Sequence, residues 1–504
     1  MTATIQIAHN AVTGKLIGAD RQALLETQRI LSYRVDGVEH MAAFARGGWD
    51  GRSSFFAFTE ATFPRGFVHM VKQHLTNCGY KVSVVRKPFP APLGPEHPVV
   101  DDFPEDPRYD YQRHTVDKLL RHGAMIAQVA TGGGKSRICK LATARIARPT
   151  LFLTTRGVLM YQMAESFASL GKRVAILGDG NIQVSKEVTC GMVQTIVSWL
   201  KEPDPEMSNE ARTRQIKRKA KMIEVLGMFE LVILEEAHEA SGNSYYEILQ
   251  HCKSAHYRLA LTATPFMRDS EEANMRLMAS SGPIAITVSE QLLIERGILA
   301  KPYFKFVTMK EKPAKLYRST PWQRAYKIGI SEFELRNKHI VVECLRAVRY
   351  GMSVMVLVQH KEHGKTLNTL MKGAGLRATY IYGEDDQVKR KASLNKLKGG
   401  TIDVLIGSTI LDVGVDVPAV GMVILAGGGK AEVAMRQRIG RGLREKKNGM
   451  PNVAFIVDFA DDGNTHLKGH YKQRRSIIES TPGFAENIVE DFDFVGLGFV
   501  KRAA

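Results

Sequence analysis

Three groups of residues in this chain have types and spacings suited to phosphate chemistry. The first is Val129-Ala130-Thr131-Gly132-Gly133-Gly134-Lys135-Ser136, set between the apolar run 125–129 and a helix-like stretch 137–148. A strand running into consecutive glycines and then Lys-Ser suits a triphosphate. The N–H groups from Thr131 through Gly132, Gly133 and Gly134 can wrap phosphates, Lys135 offers charge, Ser136 a hydroxyl for Mg²⁺, and the helix start favours anions. The spacing is that of a P-loop, with Val129 where glycine or alanine is usual; the alternative is a Gly-rich turn that only opens a helix. The second group ends the apolar run Leu231-Val232-Ile233-Leu234 with Glu235-Glu236. Beside a P-loop, one carboxylate suits a Mg²⁺ shell and the other an attacking water, although acids also favour helix starts. The third is Gln437-Arg438-Ile439-Gly440-Arg441-Gly442-Leu443-Arg444. Gln437, Arg441 and Arg444 have helical i, i+4, i+7 spacing, so two guanidinium groups could face a developing phosphoryl charge.

Strands and helices in alternation must position these groups. Strands are expected over 125–129, 150–153, 173–177, 188–192, 231–234 and 258–261, and again over 354–358, 378–382, 404–406, 420–425 and 453–457, with helical segments between. That pattern calls for parallel sheets, in which ligands sit beyond the carboxyl ends of strands. Thr154-Thr155-Arg156, Val193-Gln194-Thr195, Glu235 to His238 and Thr262-Ala263-Thr264 fall there. Upstream, Tyr111-Gln112 could stack on and read an adenine. Residues 1–85 mix strand and helix patterns as a small α+β domain. Its Gly47-Gly48-Trp49-Asp50-Gly51-Arg52 turn could present Trp49 and Arg52 to a nucleic acid or fill a small core. A proline-dense stretch from Pro88 to Pro107 places a semi-rigid linker over 86–107. The boundaries that follow are 108–283 for the first sheet domain, 284–481 for the second and 482–504 for a tail. Arg212, Arg214, Lys217, Arg218, Lys219 and Lys221 crowd one helical stretch, a solvated face or a phosphate-backbone contact.

A net charge of +18 from 70 Lys and Arg against 52 Asp and Glu calls for a polyanionic partner, and nucleic acid suits it better than a membrane surface. Five cysteines without a C-x-x-C pair argue against zinc sites and a disulfide framework and fit a reducing, intracellular (cytoplasmic) setting. Residues 406–429 are interrupted by Asp412 and Asp416, so no membrane insertion is expected.

In this order the motifs resemble those of the superfamily 2 helicases over residues 108–460: Val129–Ser136, Thr154–Arg156, Val193–Thr195, Glu235–His238, Thr262–Thr264, Val356–His360, Ser408–Asp416 and Gln437–Arg444. Within that superfamily the chain resembles the phage UvsW-type branch-migration helicases, through Trp49-Asp50-Gly51 and Leu335-Arg336-Asn337-Lys338. The resemblance implies two tandem RecA-like domains, ATP and Mg²⁺ as cofactors, and DNA as partner. By position it implies that Lys135 and Ser136 hold phosphate and Mg²⁺, that Glu235 takes the Mg²⁺ position and Glu236 orients water. Gln112 would read adenine, Gly414 and Asp416 border the nucleotide, and Arg441 and Arg444 act from the second domain. His238, Thr262 and Thr264 would couple hydrolysis to motion, while Arg156, Thr195 and Thr409 face the nucleic-acid backbone. Glu235 stands where the family has aspartate, one methylene longer. The implied activity is ATP-dependent remodelling of branched DNA in recombination, replication or repair; the sequence does not give the oligomeric state, and a monomer is favoured. The alternatives are an RNA-dependent ATPase on the same motor, or a DNA-binding or annealing protein whose motor is weakened by Glu235.

Overall fold

Apolar runs bounded by glycines and charges form the centres of two parallel sheets. The computed structural model describes residues 4–101, 106–237, 243–266, 270–382, 387–407, 420–429, 439–440, 442–446 and 449–502. The chain divides into two compact units, Met1–Ala130 with Gly134–Val288, and Thr131–Gly133 with Ser289–Ala504.

The large sheet of the first unit has eight strands. Their spatial order is Asn181–Ile182, Val174–Gly178, Val188–Met192, Thr150–Thr154, Leu231–Glu235, Tyr257–Thr262, Ala124–Val129 and Ile284–Val288. All neighbours are parallel except the edge strand Asn181–Ile182. Thr150–Thr154 and Leu231–Glu235 are buried along their whole length, as strands covered on both faces must be. The six strands expected here are present with ends within one residue. Ile284–Val288 pairs with Ala124–Val129, which moves the first boundary from 283 to 288.

Residues 4–86 build a smaller sheet in the order Thr62–Pro64, Thr13–Ile17, Thr4–His9, Lys81–Arg86, with helices Arg21–Ile30 and Val68–Asn77 packed together beside it. Its core does not close on itself. Ile5, Ile7, Leu16, Phe67, Val71 and Leu75 share one cluster with Met275 and Ala279 of helix Glu271–Ser281. Gly66 makes this approach possible, because a Cβ there would stand 1.9 Å from Met278 O. Arg65, 4% exposed, donates from Nη1 to His256 O at 2.9 Å, and Arg34 N donates to Glu271 Oε2 at 2.8 Å. The proline-dense stretch is strapped down as well: Leu93 N donates to Ile146 O, Gly94 N to Arg145 O, and Tyr257 Oη to Pro90 O. The expectation of a separable N-terminal body therefore meets a shared core. A chain beginning at Asp101 opens Met275 and Ala279, 6% and 2% exposed, to water. It is expected to unfold at lower urea than the full chain, since burial of such side chains is worth roughly 25 cal/mol per Å²; an unchanged midpoint would show the region to be independent after all.

The second unit orders Ala378–Ile381, Val404–Gly407, Val354–Leu357, Met422–Ile424, Val453–Phe459, Lys301–Val307 and Ile488–Val489 in one parallel sheet. Residues 482–504, expected as a tail, instead complete this sheet and its core. Ile488–Val489 pairs with Lys301–Val307, and the rings of Phe492, Phe494 and Phe499 lie 4.8, 4.8 and 5.6 Å from that of Phe455. Among the described residues no helix is long and apolar enough to cross a membrane.

Candidate active site

The glycine run takes the backbone where side chains cannot follow. Gly132 and Gly134 have φ of 89° and 78°, and Gly134 caps helix Lys135–Ile146. Gln112, 1% exposed in helix Asp110–His122, stands directly behind it: a Cβ on Gly134 would come within 2.4 Å of Gln112 Nε2. Arg137 Nη1 donates to Gln112 Oε1 at 2.7 Å, and Arg137 Nε donates to Asp101 Oδ2 at 2.6 Å. Lys140 also pairs with Asp101. Burial pushes the Asp101 carboxyl up, but the hydrogen bonds and charges of Lys140 and Arg137 outweigh it and hold the group below its usual range. Asp101 and Arg137, which fix Gln112, carry no local sequence sign; they lie 36 residues apart.

Glu235 ends its strand and Glu236 turns away from it at φ 46°, a left-handed conformation costly for a residue with a Cβ. Tyr245 Oη donates to Glu235 O at 3.3 Å and Lys135 Nζ lies 3.5 Å from Glu236 Oε1, so the strand end and the glycine loop meet through their charged residues. Glu235 is 5% exposed and its Oε2 is buried without a hydrogen-bond partner among the described residues. Burial, and after it the Glu236 charge, pushes its pKa from 4.5 up to about 7, with Lys135 opposing. Below about pH 4.5 the group is neutral folded and unfolded and adds nothing. As pH rises towards 7 the unfolded chain ionises first, so stability is lost, by about 3 kcal/mol above pH 7. Glu235→Gln is expected to flatten this loss between pH 4.5 and 7 and to raise Tm at pH 8, while hydrolysis falls. A variant with a lower Tm than the parent at pH 8 would mean that the folded carboxylate is already ionised and compensated.

The neighbouring strand ends converge on the same edge of the sheet. Thr262, fully buried, ends Tyr257–Thr262 and its Oγ1 accepts from Thr264 N at 3.2 Å. Thr264 Oγ1 is buried with no partner among the described residues. Gln128, one residue before the loop, donates from Nε2 to Ala263 O at 3.3 Å and ties the two strand ends together. Arg156 caps helix Gly157–Ala168, Thr195 lies in Val193–Leu200, and Gln194 Nε2 donates to Thr155 O at 3.2 Å, so these two segments also meet. Trp49 and Arg52 have other engagements. Trp49 Nε1 donates to Arg52 O at 2.7 Å, and Arg52 Nη2 reaches Ser32 O at 2.9 Å and Glu271 Oε1 at 3.4 Å. The basic stretch lies in helix Asn209–Gly227, with Arg212, Arg214, Lys217, Arg218 and Lys221 exposed.

In the second unit the helical register assigned to Arg444 does not hold. Arg444 forms an antiparallel bridge with Leu299, and Ala300 N takes the Leu443 carbonyl at 2.6 Å, which a continuing helix would need for itself. Lys446 Nζ donates to the carbonyls of Val420, Gly442 and Arg444 and fixes this exit; burial pushes its pKa down to about 7, while three acceptors favour the ammonium. Gln437 and Arg441, with Thr409, Gly414, Asp416 and His238, lie outside the described residues. What the sequence did not disclose is a buried ion-pair set within the second unit. Arg336 Nε donates to Asp461 Oδ1 at 2.9 Å and Nη1 to Ala426 O at 2.7 Å, while Arg474 Nε donates to Asp458 Oδ2 at 2.8 Å and Nη1 to Gly429 O at 3.0 Å. Two buried guanidiniums thus hold the segment after strand Met422–Ile424.

A glycine cradle with a lysine, a strand ending in paired carboxylates and a Thr-x-Thr turn beside them define a class. Residues 106–267 match the family described as type III restriction enzyme, res subunit, and residues 337–446 match the helicase conserved C-terminal domain. The chain belongs to the superfamily 2 helicases and is an ATP-hydrolysing enzyme of that class. Over nearly its whole length it is similar to the ATP-dependent DNA helicase uvsW of Enterobacteria phage T4, 24% identical over 494 residues, which is 92% of this chain and 91% of that one. The crystal structure of T4 UvsW aligns over 97% of this chain and 98% of that chain, with 20% identity and a TM-score of 0.46. The DUF1998 helicase MrfA bound to DNA shares the fold over 75% of this chain and 52% of its own, with a TM-score of 0.55 at 12% identity.

Proposed function

We propose that this chain is an ATP-driven DNA translocase that remodels branched DNA, moving forks and junctions in recombination, replication or repair. The observation that carries the reading is the span of its likeness to a DNA helicase. The aligned length takes in residues beyond the two motor families, and so part of the N-terminal sheet that is built into the first unit. The residues present fit a magnesium nucleotide. Glu235 has a buried oxygen without a partner among the described residues, Ser136 is exposed at the helix start, and the Gly134 cradle admits no side chain. Ser136 and Glu235 would hold the ion, which when bound neutralises phosphate charge.

Lys135 binds phosphate and, through its contact with Glu236, holds that carboxylate where a water can be oriented. Gln112, braced by Arg137, reads the base. Thr262 and Thr264, tied to the loop strand through Gln128, transmit the state of the site, a role shared by His238. Arg441 and Arg444 supply charge to the transferring phosphoryl group, and Gly414 and Asp416 border the nucleotide. Arg156, Thr195 and Thr409 face the DNA backbone, and Trp49 and Arg52 serve the N-terminal region that selects branched substrates. Phosphate release measured with single-stranded, duplex and four-way-junction DNA and with matched RNA tests the reading. Strongest stimulation by junctions is expected; stimulation by RNA alone, or none by any nucleic acid, would refute it.

A further inference from the structure

Away from the nucleotide site, the N-terminal helices bring together three side chains of metal-binding type. Glu26 comes from helix Arg21–Ile30, His74 from Val68–Asn77, and Cys78 caps the end of the latter. A carboxylate oxygen, an imidazole nitrogen and a thiol sulfur from these three lie within 4.8 Å of one another. His74 Nε2 is 3.0 Å from Glu26 Oε2, and Cys78 Sγ is 3.6 Å from His74 Nε2. Around a tetrahedral ion with bonds of about 2.0–2.3 Å, donors stand roughly 3.3–3.8 Å apart, so the His74–Cys78 separation meets the requirement and the Glu26–His74 pair needs to open by only a few tenths of an ångström.

Independent features agree with a cation here. His74 and Cys78 are four residues apart on one helix and so share a face. The site sits at the carboxyl end of that helix, where the partial negative charge of unpaired carbonyls favours a positive ion. Glu26 and His74 side chains are 19% and 22% exposed and Cys78 is exposed, which leaves solvent as the way in and as the source of a fourth ligand. Glu26 Oε2 also receives Arg29 Nη2 at 2.7 Å and Glu26 Oε1 receives Gln22 Nε2 at 3.2 Å. The Arg29 side chain is 70% exposed and gives up such a contact at little cost.

We propose that Glu26, His74 and Cys78 form a transition-metal site of zinc type, with three protein donors and one water, that clamps the two helices of the N-terminal region. A mixed N, S, O donor set selects zinc or a similar ion over magnesium. The donors come from two helices 48 residues apart, which is why the absence of C-x-x-C in the sequence says nothing against it.

The test uses the full chain without an affinity tag, stripped with chelator and titrated with Co²⁺ and then Zn²⁺. One equivalent of Co²⁺ is expected to give thiolate-to-metal charge-transfer absorption, with proton release, and Zn²⁺ is expected to displace it and raise Tm. Cys78→Ser should abolish that absorption, and His74→Ala and Glu26→Gln should each weaken Zn²⁺ binding at least about tenfold, leaving basal ATPase unchanged. Absence of the thiolate band in the parent, or Zn²⁺ affinity in Cys78→Ser equal to the parent's, would overturn the proposal and leave an ordinary His-Glu ion pair.

Discussion

Lys135→Ala is expected to bring ATP hydrolysis to background, below about one part in 10³ of the parent, with the fold and most DNA affinity kept. Two losses coincide in this variant. The loop loses the charge that meets the phosphates, and the two glutamates lose the cation that lies 3.5 Å from Glu236 and holds down the Glu235 pKa. Glu235 should then stay neutral to higher pH, so raising the pH should restore less activity than a simple loss of phosphate binding would allow. The fold has little to lose, because Lys135 starts its helix and, among the described residues, pairs only with Glu236. The DNA affinity expected of the chain rests on its net charge of +18, which loses one unit in this variant. Phosphate release and filter binding on one preparation check both halves; near-normal turnover would remove the nucleotide assignment.

Arg444→Ala should lower kcat by a factor on the order of 10³ with a smaller change in KM for ATP, the pattern of a group that acts on transition-state charge. Its backbone pairs with Leu299 and its carbonyl accepts from Lys446, and both contacts survive loss of the side chain. A fall in activity with an unchanged urea midpoint is then read as lost guanidinium chemistry and not as unfolding. Unchanged kcat with weakened DNA binding would place Arg444 on the nucleic-acid surface instead.

The strands were legible because each is a short apolar run closed by glycine or charge, and the site was legible because a parallel sheet delivers its chemistry at strand ends. Val188–Met192 and the Glu235-Glu236 pair needed no tertiary information. Residues 488–499 were misread although Phe492, Phe494 and Phe499 signal burial, since a terminal segment with many acids and glycines looks solvated until a sheet edge is available. Gln112 could be found, but its brace through Arg137 and Asp101 could not, because such pairings depend on the folded path between distant positions. The Arg444 spacing was true of the sequence and false of the backbone, where a carbonyl claimed by Ala300 ends the helix first.

The shared core between the N-terminal sheet and helix Glu271–Ser281 has a mechanical meaning. That helix begins a few residues beyond the Thr262-Ala263-Thr264 turn at the nucleotide site, and Gly66 lies so close to its last turn that no methyl group could be slipped between them. Such a joint has no slack. A load applied to the N-terminal sheet passes into helix Glu271–Ser281, which packs on strand Ala124–Val129 of the large sheet, so in the proposed translocase the N-terminal region would act as a lever arm and not as a tethered anchor. In the translocase proposed above, stiffness of this kind would set how much of each hydrolytic stroke reaches whatever the arm holds. Softening it, by shaving Phe67 or Met275, should show as lost stall force before lost ATP turnover.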